Sequence, residues 1–124
     1  MSLEENKKIV HHYQEIYNSN DLDSLDEVVA KDLLTPKIMV GIPTGIEGAK
    51  AAHRIMLAGF PDYQTVIDDL IAEDDKVVTR YTLRMPTAMT TGIWIDRIQD
   101  NKIVESWVDW DRLGFFRQLG IVPS

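Results

Sequence analysis

The hydrophobic period of this chain changes once, at Pro61, and that change restricts the fold more than any other feature. Before it, apolar residues recur at helical spacing; after it, they alternate as strand residues do. Ile9, Tyr13, Ile16 and Tyr17 fall at intervals of 4, 3 and 1, the stripe of an amphipathic helix, and Asn18-Ser-Asn-Asp21 ends it. A second helix is expected from Leu22, Leu25, Val28 and Val29, with Ser24-Leu-Asp-Glu27 as a capping box near its start. Pro36 closes that region, and Ile38-Met-Val-Gly-Ile42 leaves room for only a short strand before the turn Pro43-Thr-Gly45. A third helix opens at Glu47-Gly-Ala-Lys50 and carries Ala49, Ala52, His53, Met56 and Phe60 on one side. Gly59 and Pro61-Asp62 stop it.

Beyond Pro61, strands are expected over Tyr63 to Ala72, Val77 to Arg84, Thr91 to Ile98 and Ile103 to Asp111. Glu73-Asp-Asp-Lys76, a link from Met85 to Met89, and Gln99-Asp-Asn-Lys102 connect them. Connections this short make an antiparallel meander, and Leu113, Phe116, Leu119 and Gly120 add a last helical turn. Helices first and antiparallel strands afterwards give an α+β domain with the helices on one face of a curved sheet. At 124 residues and 44% hydrophobic, with no internal repeat or linker, one domain is expected.

Several function classes drop out. Without cysteine there are no disulfides, thiolate zinc sites or thiol nucleophiles. A net charge of −7 argues against binding a phosphate backbone, so nucleic acid is not an expected partner. The N-terminus is polar, with no apolar run of signal-peptide or membrane-span length, so a cytoplasmic protein off the membrane is expected. His11 and His12 are adjacent on a helix and point about 100° apart, which does not make a facing pair of metal ligands; no metal site is expected.

The closing strand concentrates the chemistry. Trp107, Asp109 and Asp111 alternate onto one face, and Val104, Ser106, Val108 and Trp110 onto the other. A strand this rich in Trp and Val is poorly solvated, so a carboxylate on it finds a partner or is pushed upward in pKa, which is how an acid/base group arises. Asp109 lies about 7 Å from Asp111 at ~3.3 Å per residue. Near it in sequence, Asp111 precedes Arg112-Leu-Gly-Phe-Phe, so it is equally placed to cap a final helical turn.

Taken in order, Tyr13 to Leu25, Glu47-Gly-Ala-Lys50, Phe60-Pro-Asp62, Asp69 to Val77, Ile98-Gln-Asp-Asn-Lys-Ile-Val-Glu-Ser-Trp107 and Trp110-Asp-Arg-Leu-Gly114 resemble the SnoaL-like polyketide cyclase family, within the nuclear-transport-factor-like superfamily. The resemblance spans nearly the whole chain. It implies a cone-shaped, cystatin-like α+β fold whose curved sheet encloses a pocket, a homodimer, and no cofactor. It also implies an aspartate late in the chain acting as acid/base in an intramolecular aldol ring closure, with Asp111 at the matching position.

The candidate catalytic residues are therefore Asp111 and Asp109. Tyr13, Tyr17, His53, Met56, Trp94 and Trp107 are candidate walls for a hydrophobic or aromatic substrate, since aromatic and thioether surfaces suit flat guests. A tyrosine is suited to donate to an oxyanion, and His53 to orient a carbonyl or pair with a carboxylate. Each has an ordinary alternative: core packing for the aromatics, a satisfied boundary histidine for His53, and surface ion pairs for Asp109, Arg80 and Arg97. On function, the alternatives to a cyclase are a non-catalytic binding module on the same fold and an epoxide hydrolase or dehydratase using pocket carboxylates.

Overall fold

A computed structural model of the protein describes residues 2–35 and 42–121. Helix α1 spans Leu3–Ser19; Ser2 caps it by accepting the Glu5 N–H (3.0 Å), and Asn20 ends it in the left-handed conformation. Its buried side carries Val10, Tyr13 and Ile16, as the stripe requires. Asn18 then ties the end of α1 to the sheet, donating to the Thr65 carbonyl (2.8 Å) and accepting the Thr65 N–H (3.0 Å).

The expected second helix is cut short. A 3₁₀ helix covers only Leu22–Glu27, and Val29–Leu34 forms strand β1 instead. Ser24 donates to Asp21 (2.6 Å) and makes no capping box with Glu27. The physical reason is a distant partner. The Ile103 N–H donates to the Val28 carbonyl (2.7 Å) and β1 pairs in parallel with the last strand, so β-branched valines find a sheet edge rather than a helix. Of the strand expected over Ile38–Ile42, positions 38–41 lie outside the described residues, and Ile42 is in no strand.

Helix α2 spans Gly45–Gly59. Gly45 has φ +78°, and a Cβ there would press on the Lys31 carbonyl, so glycine lets the helix start hard against β1. Strands β2 (Gln64–Glu73), β3 (Lys76–Met85), β4 (Ala88–Gln99) and β5 (Lys102–Trp110) form the meander. The Met85 link is a two-residue hairpin turn at Pro86-Thr87. The sheet order is β1-β5-β4-β3-β2, antiparallel except at β1. Helix α3 (Arg112–Gln118) closes the described chain. Among the described residues no helix is long and apolar enough to cross a membrane.

Two apolar clusters fill the space between helices and sheet. One joins Val10, Ile16, Leu25, Leu33, Val77 and Ile103; the other surrounds Phe115 with Tyr81, Leu83, Met85 and Ala88. The cavity described next draws its walls from both.

Candidate functional site

One irregularity in the last strand decides which side chains enter the interior. Ile98 pairs with Ile103, but Arg97 pairs with Glu105, so Val104 is an extra residue in β5. Such a bulge reverses the alternation beyond it. Ile103 is buried, yet the residues that follow it inward are Ser106, Val108 and Trp110, while Glu105, Trp107 and Asp109 turn outward. Without the bulge, a buried Ile103 would have brought the aspartate face inward.

The inward residues floor a cavity of about 350 Å³. Its floor follows a cross-strand ladder, Gly92 against Trp110 and Trp94 against Val108, and ends at Ser106, whose partner Asp96 lies just outside the wall. Gly92 has no substitute there, because a Cβ would collide with the Tyr81 hydroxyl and lie 2.7 Å from the Trp110 Cβ. The absence of a side chain lets Tyr81 stack on Trp94, ring centroids 3.9 Å apart and planes at 20°. From above, α1 contributes Tyr13 and Tyr17, and α2 contributes Ala49, Ala52, His53 and Met56. Arg112 stands at the α3 side with its guanidinium 5.5 Å from the Trp110 ring centroid. This volume and largely apolar lining match a small organic guest.

Polar groups enter at two places. On the helix side, His53 Nε2 meets Asn20 Oδ1 (3.1 Å), and the Tyr63 hydroxyl meets His53 Nδ1 in a short hydrogen bond. With an amide oxygen at Nε2, that nitrogen carries the proton, and Nδ1 accepts from Tyr63. The left-handed backbone of Asn20 at the end of α1 sets its side chain at this contact. Burial, followed by the positive charge of Arg54, lowers the His53 pKa, so the ring is neutral. Tyr17 lies against the same imidazole, centroids 4.6 Å apart, and accepts from Tyr13 (3.3 Å). Burial is the main cause that pushes Tyr17 and Tyr81 up to about 12 and raises Tyr13 and Tyr63 as well, so all four are hydroxyl donors near neutrality.

On the sheet side stands a carboxyl that sequence reasoning missed. Asp96 is 0% exposed. The Ser106 hydroxyl donates to its Oδ1 (2.7 Å), whereas Oδ2 has no hydrogen-bond partner among the described residues. Burial pushes Asp96 up to about 7, against the opposing hydrogen bond from Ser106. Its sequence signal was weak: in Ile93-Trp-Ile-Asp-Arg-Ile98 both faces of the strand are apolar, so alternation does not single out Asp96 as inward. Tyr63, Tyr81, Ser106 and Arg112 were likewise not singled out as site residues.

Of the residues singled out in the sequence, Tyr13, Tyr17, His53, Met56 and Trp94 line the cavity together. Trp107 does not; it lies on the outer face. Asp109 and Asp111 are brought together, but in a shallow outer groove with Arg80 and Ile93, which corrects the expectation of a dry carboxylate pair. Asp111 is exposed and caps α3 by accepting the Gly114 N–H (2.9 Å). Arg97 pairs with Glu105 (3.0 Å) on the same outer face. Among the described residues no cluster of three or more His, Asp or Glu is placed to hold a metal ion.

Residues 7–119 match the SnoaL-like polyketide cyclase family. The chain belongs to that family. Its fold is shared with a candidate polyketide cyclase from Bacillus cereus ATCC 10987 (24% identity, TM-score 0.89, covering 96% of this chain and 83% of that one). It is also similar to TsrD from Streptomyces laurentii (27% identity, TM-score 0.85, 98% and 99% covered). A third likeness is to IdmH, a candidate polyketide cyclase from Streptomyces antibioticus (25% identity, TM-score 0.84, 93% and 98% covered). No curated protein matches in sequence. As a SnoaL-like protein, the chain carries the family's α+β frame, but among the described residues the buried carboxyl is Asp96 on β4, while Asp111 caps α3.

Proposed function

We propose that the protein is a cofactor-free cyclase, or a related lyase or isomerase, acting by acid/base chemistry on a flat aromatic or polycyclic keto compound. The observation that carries this reading is the His53–Tyr63 pair in the cavity wall, a neutral imidazole accepting a hydrogen bond from a phenol. The substrate's acidic carbon gives its proton to the Tyr63 oxygen as Tyr63 passes its own to His53 Nδ1, and Asn20 holds the resulting imidazolium through Nε2. The tyrosine hydroxyls are suited to stabilise the enolate oxygen. In an aldol ring closure the carbanion then attacks a second carbonyl, leaving an alkoxide to be protonated inside the cavity. Asp111 has no part in this scheme.

A non-catalytic binding module is the second reading, favoured by the position of Asp109 and Asp111 outside the cavity. Thermal-shift titration with keto-substituted anthracenes tests the common ground of both: a guest at 100 times its dissociation constant adds about 2.7 kcal/mol. The same shift is expected in Asp111→Asn. If no such compound raises the melting temperature, both readings fail; if Asp111→Asn alone loses binding, the site lies elsewhere.

The proposal extends to a homodimer built on the outer sheet face. Ile71, Val78, Ile95 and Trp107 lie opposite one another across β2, β3, β4 and β5 and make one apolar row, with Ile71 60% exposed. Arg80 and Asp109 flank it, and opposite charges on one face suit a self-complementary contact. Sedimentation should give twice the chain mass for the parent and the single-chain mass for Ile71→Glu combined with Ile93→Glu. A parent that sediments as a single chain at micromolar concentration sinks the dimer.

A further inference from the structure

We propose that Asp96 and Ser106 form a buried proton relay through the cavity floor, facing the substrate oxygen as a donor when Asp96 is protonated and as an acceptor when it is ionised. The relay presupposes the cavity chemistry proposed above and supplies the step left open there. Ser106 lines the cavity, and Asp96 is its cross-strand partner on the same inward face of the sheet, beside it and just outside the cavity wall. With Asp96 ionised, the Ser106 hydroxyl is committed to Oδ1, as in the 2.7 Å contact, and its lone pairs face the guest. With Asp96 protonated, the carboxyl donates to Ser106 Oγ, and the serine proton is released toward the cavity.

Proton delivery then balances. An alkoxide on the substrate takes the hydrogen of Ser106 as Ser106 takes that of Asp96, leaving a neutral alcohol, an intact serine and the Asp96 carboxylate. After product leaves, the His53 imidazolium gives its proton to water and Asp96 regains one from water, which restores the starting state. His53 and Tyr63 work from the helix side and this pair from the sheet side, so acid and base sit on opposite walls of one hollow, with environments that push their proton affinities apart. Asp96 does not itself line the cavity, so it is a positioning residue acting through Ser106.

Its surroundings allow both states. From α1, Tyr13 and Tyr17 face it as neutral phenols; from β3 its neighbour is Val77, and from β5 it is Ser106. No charged side chain is among the groups that act on it, and burial alone carries it to about 7 against the serine's opposing pull. The unpartnered Oδ2 fits the same picture, since a carboxyl there to be satisfied structurally would have both oxygens engaged.

Two probes of similar shape separate the states: 2-naphthol, which donates a hydrogen bond, and 2-acetylnaphthalene, which only accepts one. The ratio of their dissociation constants is expected to change about tenfold between roughly pH 6 and pH 8, naphthol gaining as pH rises, the factor that one hydrogen bond is worth. Asp96→Asn should bind both probes with no pH dependence of the ratio. Ser106→Ala should also remove the dependence, and Ser106→Thr should restore it, which a purely structural role for either residue would not produce. If both probes bind and the parent ratio is flat, or the dependence survives in Asp96→Asn, the relay is wrong while the cavity reading stands. If neither probe binds at any pH, the cavity reading fails and the relay with it.

Discussion

Tyr63→Phe is expected to lower turnover of a keto-substituted polycyclic substrate by about 10²–10⁴-fold, the range a positioned acid/base group supplies. The substitution removes one oxygen and keeps the ring that packs edge-on against His53, centroids 5.5 Å apart, so the fold and the cavity shape persist. The dissociation constant for a flat aromatic guest should change little, placing the loss in kcat. His53→Ala should cost about as much, and the double variant little more than either, because the two act as one unit. The pH profile gives a separate handle. Burial and Arg54 hold the imidazole below its ordinary value of 6.5, so the acid limb of kcat/KM should fall below that pH. In Tyr63→Phe that limb should move, since the phenol donor to Nδ1 is gone. Parental kcat in Tyr63→Phe would remove the pair from the chemistry and leave the binding module as the better account.

What the sequence disclosed, and what it hid, divides by range of interaction. The stripe of Ile9, Tyr13 and Ile16 and the positions of α2 are local facts, and helical periodicity exposes them. The meander was legible for the same reason, because its turns at Asp74-Asp75 and Asp100-Asn101 are short and polar; Asp74, Asp100 and Asn101 adopt the positive φ such turns need. Val28 and Val29 were misread because their partner, Ile103, is far along the chain, and nothing near them in sequence announces a parallel neighbour. The site turned on something smaller still. A single extra residue at Val104 interchanges the two faces of β5, and with a tryptophan on each face, alternation had no means of revealing it. Asp111 fell outside for this reason, and its capping of α3 was the alternative its neighbours Arg112-Leu-Gly already allowed. Asp96 stayed hidden because a carboxylate between Ile95 and Arg97, on a mid-sheet strand with apolar residues on both faces, looks the same whichever way it points.

Asp96 also makes a large thermodynamic prediction, independent of any substrate: Asp96→Asn should be more stable than the parent at pH 8 and should lose that advantage at pH 4. In the unfolded chain the carboxyl has its ordinary value near 3.8, and in the folded protein about 7. Below about pH 4 both states hold the proton, and the residue makes no pH-dependent difference. Between about pH 4 and pH 7 the unfolded chain ionises while the folded one does not, so the folded state loses stability as pH rises. Above that window the loss is complete and amounts to ~4 kcal/mol at 1.36 kcal/mol per pH unit. Asparagine stays neutral throughout and still offers an oxygen to Ser106, but it brings a second N–H that must be satisfied, at a cost of about 1–3 kcal/mol. Urea unfolding should therefore show the variant at or below the parent at pH 4 and gaining on it by ~4 kcal/mol by pH 8. The same difference at both pH values would mean that Asp96 ionises alike in the two states, and the buried-acid picture would fall. A gain of the expected size would instead show a fold holding a carboxyl that weakens it most above pH 7, where an asparagine would be tolerated better. Groups retained against their effect on stability belong to sites of chemistry more often than to cores.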